Sequence, residues 1–414
     1  AHYFKMEQFK IINIPTEYKE EDEVESKDQE VLEETEYDDS DYNPPKKRWI
    51  LLLLILVAGL ASFYIYDALK TFNDYDLRAE YRREDSNETR YLDFNGNLLK
   101  YSTDGASCTT YKNGLIWSYS YDFTNPAMAV CKDYAVAYDK KGSEVDIFSK
   151  DGFVKSINTN MPIIKADVAA QGTVVVLMQQ ESTNYIQMYD TKGELLVSGQ
   201  LHLENSGYPM SMALSSDGTR LLISLLCLNE GSVKSTVTFY DFSSKGKESK
   251  DNIVATYTYE DMVVPQVDFV SGDKAIAFTE NKIIVYNNNL EATIAKEIEL
   301  TEQLKSVFYN DKYYGFVCDK ILESGEIVSE LTLYNLYGFE CFSTEFYSSY
   351  SDIQIMNNGE VLLLDSNKVD IYSKFGVHKF SYDFDTVVYT VVPERFLHRY
   401  KIIEETLTDE VQLK

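Results

Sequence analysis

Apolar and polar residues alternate with a period of two over short runs throughout residues 91–414. VDIFSKDGFVKSIN at 145–158 and VDIYSKFGVHKFSY at 369–382 share one order of features: an alternating run, an aromatic residue, a polar turn with glycine, and a second run. A period of two is typical of β-strands, in which successive side chains point to opposite faces of the sheet. The pattern predicts a series of β-hairpins.

The hairpin recurs seven times, at intervals of roughly 40 to 50 residues, which suits a propeller blade. One aromatic position marks each copy: Tyr111, Phe148, Tyr189, Tyr240, Tyr286, Tyr334 and Tyr372. Two further apolar runs precede most copies, so each unit is expected to be a four-stranded sheet of strands a to d, with the hairpin as c and d. We predict an all-β fold, a seven-bladed β-propeller over residues 91–414. A β-sandwich would explain the alternation but not the repeated hairpin.

Closure of the ring is expected to involve the C-terminal residues. The first unit lacks an obvious innermost strand, whereas TVVYTVV at 386–392 remains after the last hairpin. Placing strand 386–392 in the first blade would cover sheet edges that otherwise invite aggregation. Eight blades stay open as an alternative if ERFLHRYKI, residues 394–402, pairs as a further strand.

A continuous apolar segment, WILLLLILVAGLASFYIY, occupies residues 49–66. It carries no charge, and as a helix it would be about 27 Å long, close to the apolar thickness of a bilayer. We predict a single transmembrane helix. A buried core helix and a cleaved signal peptide are the alternatives, the latter because Gly59 and Ala61 suit a cleavage site. The 48 preceding residues are unlike a short basic leader, which favours an uncleaved signal anchor.

Basic residues near the ends of this segment predict its orientation. Lys46, Lys47 and Arg48 precede it, whereas Lys70 and Arg78 follow it among several aspartates. Cytoplasmic flanks carry the excess of basic residues. The N-terminus is therefore expected in the cytoplasm and the propeller outside it at the cell membrane, with the reverse topology as the alternative.

The two segments that flank the span differ in composition from the propeller. Residues 1–48 contain 15 Asp and Glu against 7 Lys and Arg, so we expect an acidic, disordered cytoplasmic tail. Residues 67–90 are highly charged and contain neither Pro nor Gly. We expect them to form a stalk or linker that extends the helix.

Composition excludes several classes of function. The formal charge of −28 opposes binding to nucleic acid phosphates. The five cysteines and four histidines are scattered, without the spacing of zinc sites. No nucleophile motif and no phosphate-binding glycine loop occurs. We therefore predict no catalytic residue, no metal ligand and no cofactor.

The apolar segment at 49–66, followed by the repeated hairpins, resembles a bacterial class of single-pass, membrane-anchored β-propeller proteins of uncharacterised function. The blades, as in NGLIWSYSY at 113–121, are also loosely similar to those of quinoprotein-like and outer-membrane assembly propellers. This resemblance implies an extracytoplasmic propeller with one membrane span. It implies no catalytic motif.

The leading functional hypothesis is a non-catalytic scaffold, tethered to the membrane, that binds another envelope protein. A transmembrane sensor that signals through the acidic tail and a quinone- or sugar-processing enzyme are the alternatives. Three b–c connections, at 179–184, 228–235 and 319–330, look longer than tight turns, and long loops on rigid scaffolds often carry recognition. Their acidic residues are the candidate partner-binding positions: Glu181, Glu230, Glu323 and Glu326.

Overall fold

The computed structural model describes residues 10–11, 47–83, 85–86, 88–110, 114–229, 231–302, 304–394 and 396–414. These fall into two compact units. One holds residues 47–70, and the other holds residues 10–11 and 71–414. The predicted tail at 1–48, including Lys46, lies outside the described residues except at 10–11 and 47–48.

The first unit contains helix α1, Lys47–Ala68, of 22 residues. Its apolar side chains are exposed, and the helix is long and apolar enough to cross a membrane. It includes the whole span predicted at 49–66. Because it ends at Ala68, the expected helical extension through residues 67–90 is wrong; Tyr75–Arg82 forms a β-strand instead.

The second unit is a propeller of eight antiparallel four-stranded sheets, which confirms the predicted β-propeller. The first four blades, each in the order a to d, are Arg90–Phe94, Asn97–Ser102, Gly105–Thr109 and Leu115–Ser120; Pro126–Cys131, Tyr134–Asp139, Glu144–Ser149 and Gly152–Asn158; Ile163–Val168, Val174–Gln180, Thr183–Tyr189 and Leu195–His202; and Tyr208–Leu214, Arg220–Asn229, Ser232–Asp241 and Ile253–Glu260. Blades 5 to 8 are Gln266–Ser271, Lys274–Phe278, Lys282–Asn287 and Ile294–Glu299; Leu304–Tyr309, Tyr313–Ile321, Ile327–Asn335 and Glu340–Phe346; Asp352–Ile355, Val361–Asp365, Lys368–Tyr372 and His378–Asp383; and Val388–Pro393, Arg399–Glu404, Leu407–Leu413 and Tyr75–Arg82.

In the part of the chain that the structure describes, four short elements lie outside the four-stranded pattern of the blades. Strand Lys10–Ile11 pairs with the outer strand of blade 3, to which it adds a fifth strand. A one-turn helix, α2, covers Leu203–Ser206. Two 3-10 turns, Gly246–Glu248 and Lys250–Asn252, lie between strands c and d of blade 4.

Blade 8 corrects the preferred count of seven and agrees with the alternative of eight. Its outer strand, Tyr75–Arg82, comes from the start of the propeller chain and pairs with Leu407–Leu413. Blade 8 therefore has no c–d hairpin, and a count of hairpins finds only seven blades.

The closing strand also differs from the expectation. Val388–Pro393 is the first strand of blade 8 and does not belong to blade 1. Blade 1 has its own first strand, Arg90–Phe94, joined to the next by Asn95 and Gly96. Both turn residues have positive φ, 51° and 76°, as a tight type I′ hairpin requires. This two-residue turn hides the strand boundary in the sequence.

The repeated order of the hairpin has a packing role, because its aromatic residue fills the space between blades. Phe148 of blade 2 stacks on Trp117 of blade 1, with ring centroids 5.1 Å apart. Tyr286 of blade 5 meets Phe239 of blade 4 at 5.1 Å. Tyr111 lies outside the described residues. Burial of such rings stabilises the contact between neighbouring blades.

Arg83 directly follows the closing strand and contacts blade 8, and its guanidinium also lies 5.6 Å from the centroid of the Tyr91 ring in blade 1. Its guanidinium donates hydrogen bonds of 2.7 Å to the carbonyl oxygens of Glu404 and Ser86, and it lies 4.4 Å from the centroid of the Tyr389 ring. The side chain is almost fully buried. A planar fork of donors suits two divergent carbonyl acceptors, which a lysine ammonium cannot bridge in the same way.

We expect Arg83→Ala to lower the free energy of unfolding by about 1–3 kcal/mol, because it leaves the buried carbonyl of Glu404 unpaired at the ring junction. Arg83→Lys should recover only part of this loss. The measurement is the midpoint of denaturant unfolding, with Arg82→Ala, at the exposed last residue of the closing strand, as the matched control. Equal midpoints for the Arg83→Ala and Arg82→Ala variants would contradict this account of the junction.

Candidate binding surfaces

The antiparallel order of each blade gives the propeller two different faces. Turns a–b and c–d emerge on one side, here called the c–d face, and connections b–c and d–a emerge on the other, the b–c face. First strands of successive blades contact one another, so they are the innermost strands. Each turn residue of the propeller therefore lies on one of these two faces.

The three predicted glutamates that the structure describes lie on the b–c face, in two different blades. Glu181 occupies the b–c turn of blade 3, and Glu323 and Glu326 occupy that of blade 6. All three are exposed. Glu230 lies outside the described residues. The structure thus distributes these carboxylates around a rim and does not bring them into one cluster.

The b–c connections are shorter than the sequence suggested. In blade 3, strand b ends at Gln180 and strand c begins at Thr183, so the turn between them has two residues. Blade 6 has a five-residue turn, 322–326, between strands of 9 residues each. Polar residues inside extended strands gave the appearance of long loops.

A groove of about 520 Å³ lies beside Glu181, between blades 2 and 3. Lys140 and Lys141 line it together with Asn125, Gln179 and residues 162–164. The two ammonium groups interrupt the acidic rim here. The groove therefore offers groups of both charges to a ligand on the b–c face.

Two aspartates on innermost strands make contacts between blades near the axis. Asp167 of blade 3 accepts hydrogen bonds of 2.8 Å from the backbone N–H groups of Val168 and, in blade 4, Leu214. Asp268 of blade 5 accepts a 2.6 Å hydrogen bond from the Tyr309 hydroxyl of blade 6. These side chains therefore orient neighbouring blades.

Burial changes the ionisation of both carboxyls. Desolvation raises the pKa of Asp167 to about 6, and the negative charge of Asp268 adds to this effect. Desolvation likewise raises the pKa of Asp268, although the hydrogen bond from Tyr309 opposes the change. Lys165 stabilises both anions. The pair thus titrates closer to neutral pH than ordinary aspartates do.

The sequence offered no clear signal for this cluster. Asp167 and Asp268 sit in strand patterns, ADV and VDF, that look like ordinary half-buried strands. Their proximity arises only when the blades are arranged around the axis.

The cysteine thiols lie in surroundings that lower their reactivity. All five cysteines are free thiols, and burial raises the pKa of Cys108 and of Cys318 to about 11, which disfavours the nucleophilic thiolate. Among the described residues, no three His, Cys, Asp or Glu side chains are grouped closely enough to hold a metal ion.

We expect Tyr309→Phe to reduce stability more at pH 8 than at pH 4.5. The folded state raises the pKa of Asp268, so ionisation of this carboxyl costs stability as pH rises through the folded-state pKa. Without the hydroxyl, the ionised carboxylate loses its donor, and the expected loss at pH 8 is about 1–3 kcal/mol. Unfolding midpoints across this pH range test the prediction. Tyr347→Phe, at an exposed tyrosine, is the control, and a loss independent of pH would show that Asp268 is not involved.

Comparisons with known proteins concern the family and the fold. BamB from Moraxella catarrhalis shares 11% sequence identity with a TM-score of 0.49, over 82% of this chain and 100% of that chain. The WD40 domain of Neurospora crassa Pan2 shares 10% identity with a TM-score of 0.41, over 70% of this chain and 88% of that chain. No curated protein matches the chain with significant sequence similarity. The family of unknown function DUF5711 matches residues 68–413, nearly the whole propeller together with its closing strand, and the chain belongs to this family.

Proposed function

We propose that this protein is a non-catalytic β-propeller scaffold, tethered to the bacterial cell membrane, that binds another protein of the cell envelope. The observation that carries the proposal is the b–c face, on which a closed ring of blades holds exposed acidic turns, including Glu181, Glu323 and Glu326. Hydrogen-bonded blades hold such turns in fixed positions. A partner can then be recognised without the ordering cost that flexible loops incur.

Charge indicates the chemistry of the partner. Acidic side chains predominate on the connections of the b–c face, so a partner with Lys or Arg at matching positions would be attracted and oriented. The groove beside Lys140 and Lys141 would accept an acidic group of the same partner. With a formal charge of −28 for the chain, a nucleic acid is not the proposed partner.

Helix α1 provides the proposed tether. Its 22 residues would extend about 33 Å, enough to cross the apolar core of a bilayer. The basic residues at its N-terminal end favour a cytoplasmic N-terminus and an extracytoplasmic propeller. In this topology the bilayer separates Lys10–Ile11 from blade 3, so the pairing of that two-residue strand with blade 3 does not form while the helix spans the membrane.

Protease treatment of spheroplasts should digest exposed turns of the propeller and leave the N-terminal tail intact. Epitopes at the two ends, followed by immunoblotting, distinguish the two topologies. A protected propeller with a digested tail would reverse the proposed orientation, and permeabilised cells provide the control for protease access.

Charge reversal by Glu323→Lys with Glu326→Lys should reduce cross-linking of the partner in native membranes by about tenfold, the equivalent of about 1.4 kcal/mol. Both residues are exposed, so we expect an unchanged melting temperature. The matched control reverses Glu291 and Asp311, two exposed residues on the c–d face. Partners are identified by mass spectrometry after cross-linking. Loss of capture in the control variant alone would assign recognition to the other face.

A further inference from the structure

The c–d face carries exposed apolar side chains on the turns of four successive blades. This set, here called the apolar arc, comprises Leu290 of blade 5, Tyr337 and Phe339 of blade 6, Phe375 of blade 7, and Phe396 and Leu397 of blade 8. Phe339 is 71% exposed. Large apolar residues at the tips of adjacent turns form a surface that water solvates poorly, and such surfaces usually mark a binding face.

Cationic groups accompany the aromatic rings of the arc. The Arg399 guanidinium lies 4.6 Å from the centroid of the Phe396 ring. The ammonium groups of Lys274 and Lys374 lie 5.8 Å and 5.4 Å from the rings of Tyr337 and Phe375. Aromatic residues combined with Lys and Arg suit the boundary between lipid headgroups and acyl chains, where rings enter the apolar layer and cations meet phosphates.

The propeller chain begins at this same face. Tyr75 pairs with Leu413, at the end of strand c of blade 8, so the closing strand starts on the c–d face. Just before it, Phe72 is buried: its N–H donates a 2.8 Å hydrogen bond to the carbonyl oxygen of Lys379, and its ring lies 4.6 Å from that of His398.

The short connection to helix α1 limits the distance between this face and any membrane that the helix crosses. Only residues 69–71 separate Ala68, the last helical residue, from the anchored Phe72. Four Cα steps span at most about 14 Å when fully extended. This limit comes from the chain length and holds for any arrangement of the helix and the propeller.

The two faces also differ in charge. Basic and acidic residues stand side by side on c–d face turns, as in Lys132–Asp133, Lys150–Asp151 and Asp311–Lys312, so their charges cancel. Acidic residues with no basic residue beside them in the sequence occupy connections of the b–c face: Asp104, Glu280, Glu302, Glu323, Glu326 and Asp385. An anionic membrane surface repels the b–c face and tolerates the c–d face.

We infer that the apolar arc is a membrane-binding surface, which inserts its side chains into the interfacial layer of the lipid bilayer. Exposed apolar residues also occur on the b–c face, at Ile321 and Ile327, so exposure alone does not separate the faces. The two faces are distinguished by the short connection to helix α1, which begins at the c–d face, and by their difference in charge. This inference rests on the membrane anchoring proposed above, and it leaves the b–c face directed away from the bilayer and open to a protein partner.

Tryptophan fluorescence of the full chain in lipid vesicles tests this inference. The chain has two tryptophans, Trp49 in helix α1 and Trp117 in the propeller core. In a Trp49→Phe background, Phe339→Trp and Phe375→Trp place reporters on the arc. Ile321→Trp places the matched control on the opposite face of blade 6, at a residue that is 64% exposed. The Trp49→Phe parent gives the background signal of Trp117.

The vesicles contain phosphatidylcholine with phosphatidylglycerol, prepared with and without bromine on the acyl chains. Brominated lipid should reduce the additional emission of both arc reporters by about half, because their rings would lie at the headgroup and acyl boundary. Emission of the Ile321→Trp variant should be unchanged. Equal quenching of the two faces, or quenching of neither, would overturn the inference.

The unmodified chain separates this inference from the anchoring on which it rests. If Trp49 is quenched by brominated lipid and the arc reporters are not, helix α1 is embedded and the membrane-binding surface is refuted. If neither responds, both proposals fail. Protection of the arc reporters from aqueous iodide without quenching by brominated lipid would identify a protein, such as a second copy of this chain, as the occupant and would refute lipid binding.

Discussion

Closure of the ring depends on one long-range strand pairing, between Tyr75–Arg82 and Leu407–Leu413. It joins the two ends of the propeller chain: Lys414 contacts Asp76 from 338 residues away. Without this pairing, strand Leu407–Leu413 of blade 8 would have an unpaired edge. The adjoining blades would then pack against an incomplete sheet. The closing strand follows helix α1 closely in the sequence, so the proposed membrane anchor and the strand that closes the ring are neighbouring segments of the chain.

Apolar and polar contacts have different roles between the blades. Aromatic and aliphatic clusters supply most of the buried area. Polar groups give orientation: Lys379 and Glu360 form a buried ion pair in blade 7, and the Tyr400 hydroxyl of blade 8 bonds to both. These three polar side chains bond to one another across the junction of blades 7 and 8. The cost of removing them from water is therefore offset only when the two blades are correctly arranged.

The asymmetry of the two faces suggests a division of roles. Strand direction puts the acidic turns on one face and, on the other, the apolar arc and the start of the propeller chain. In the proposed arrangement, lipid covers the apolar face and a protein meets the acidic one. Aspartates near the axis, such as Asp167 and Asp268, hold neighbouring blades together through hydrogen bonds.

The sequence by itself determined the local elements: helix α1, from its unbroken apolar run, and the c–d hairpins of blades 1 to 7, from alternation over adjacent residues. It also identified Glu181, Glu323 and Glu326 as turn residues. Only the tertiary structure decided the eighth blade, because its c and d strands lie at opposite ends of the propeller chain. It alone brought Asp268 to Tyr309, since blades are joined by packing and not by sequence pattern. Local periodicity reports which face of a strand is buried, whereas closure and contacts between blades depend on residues that become neighbours only in the folded ring.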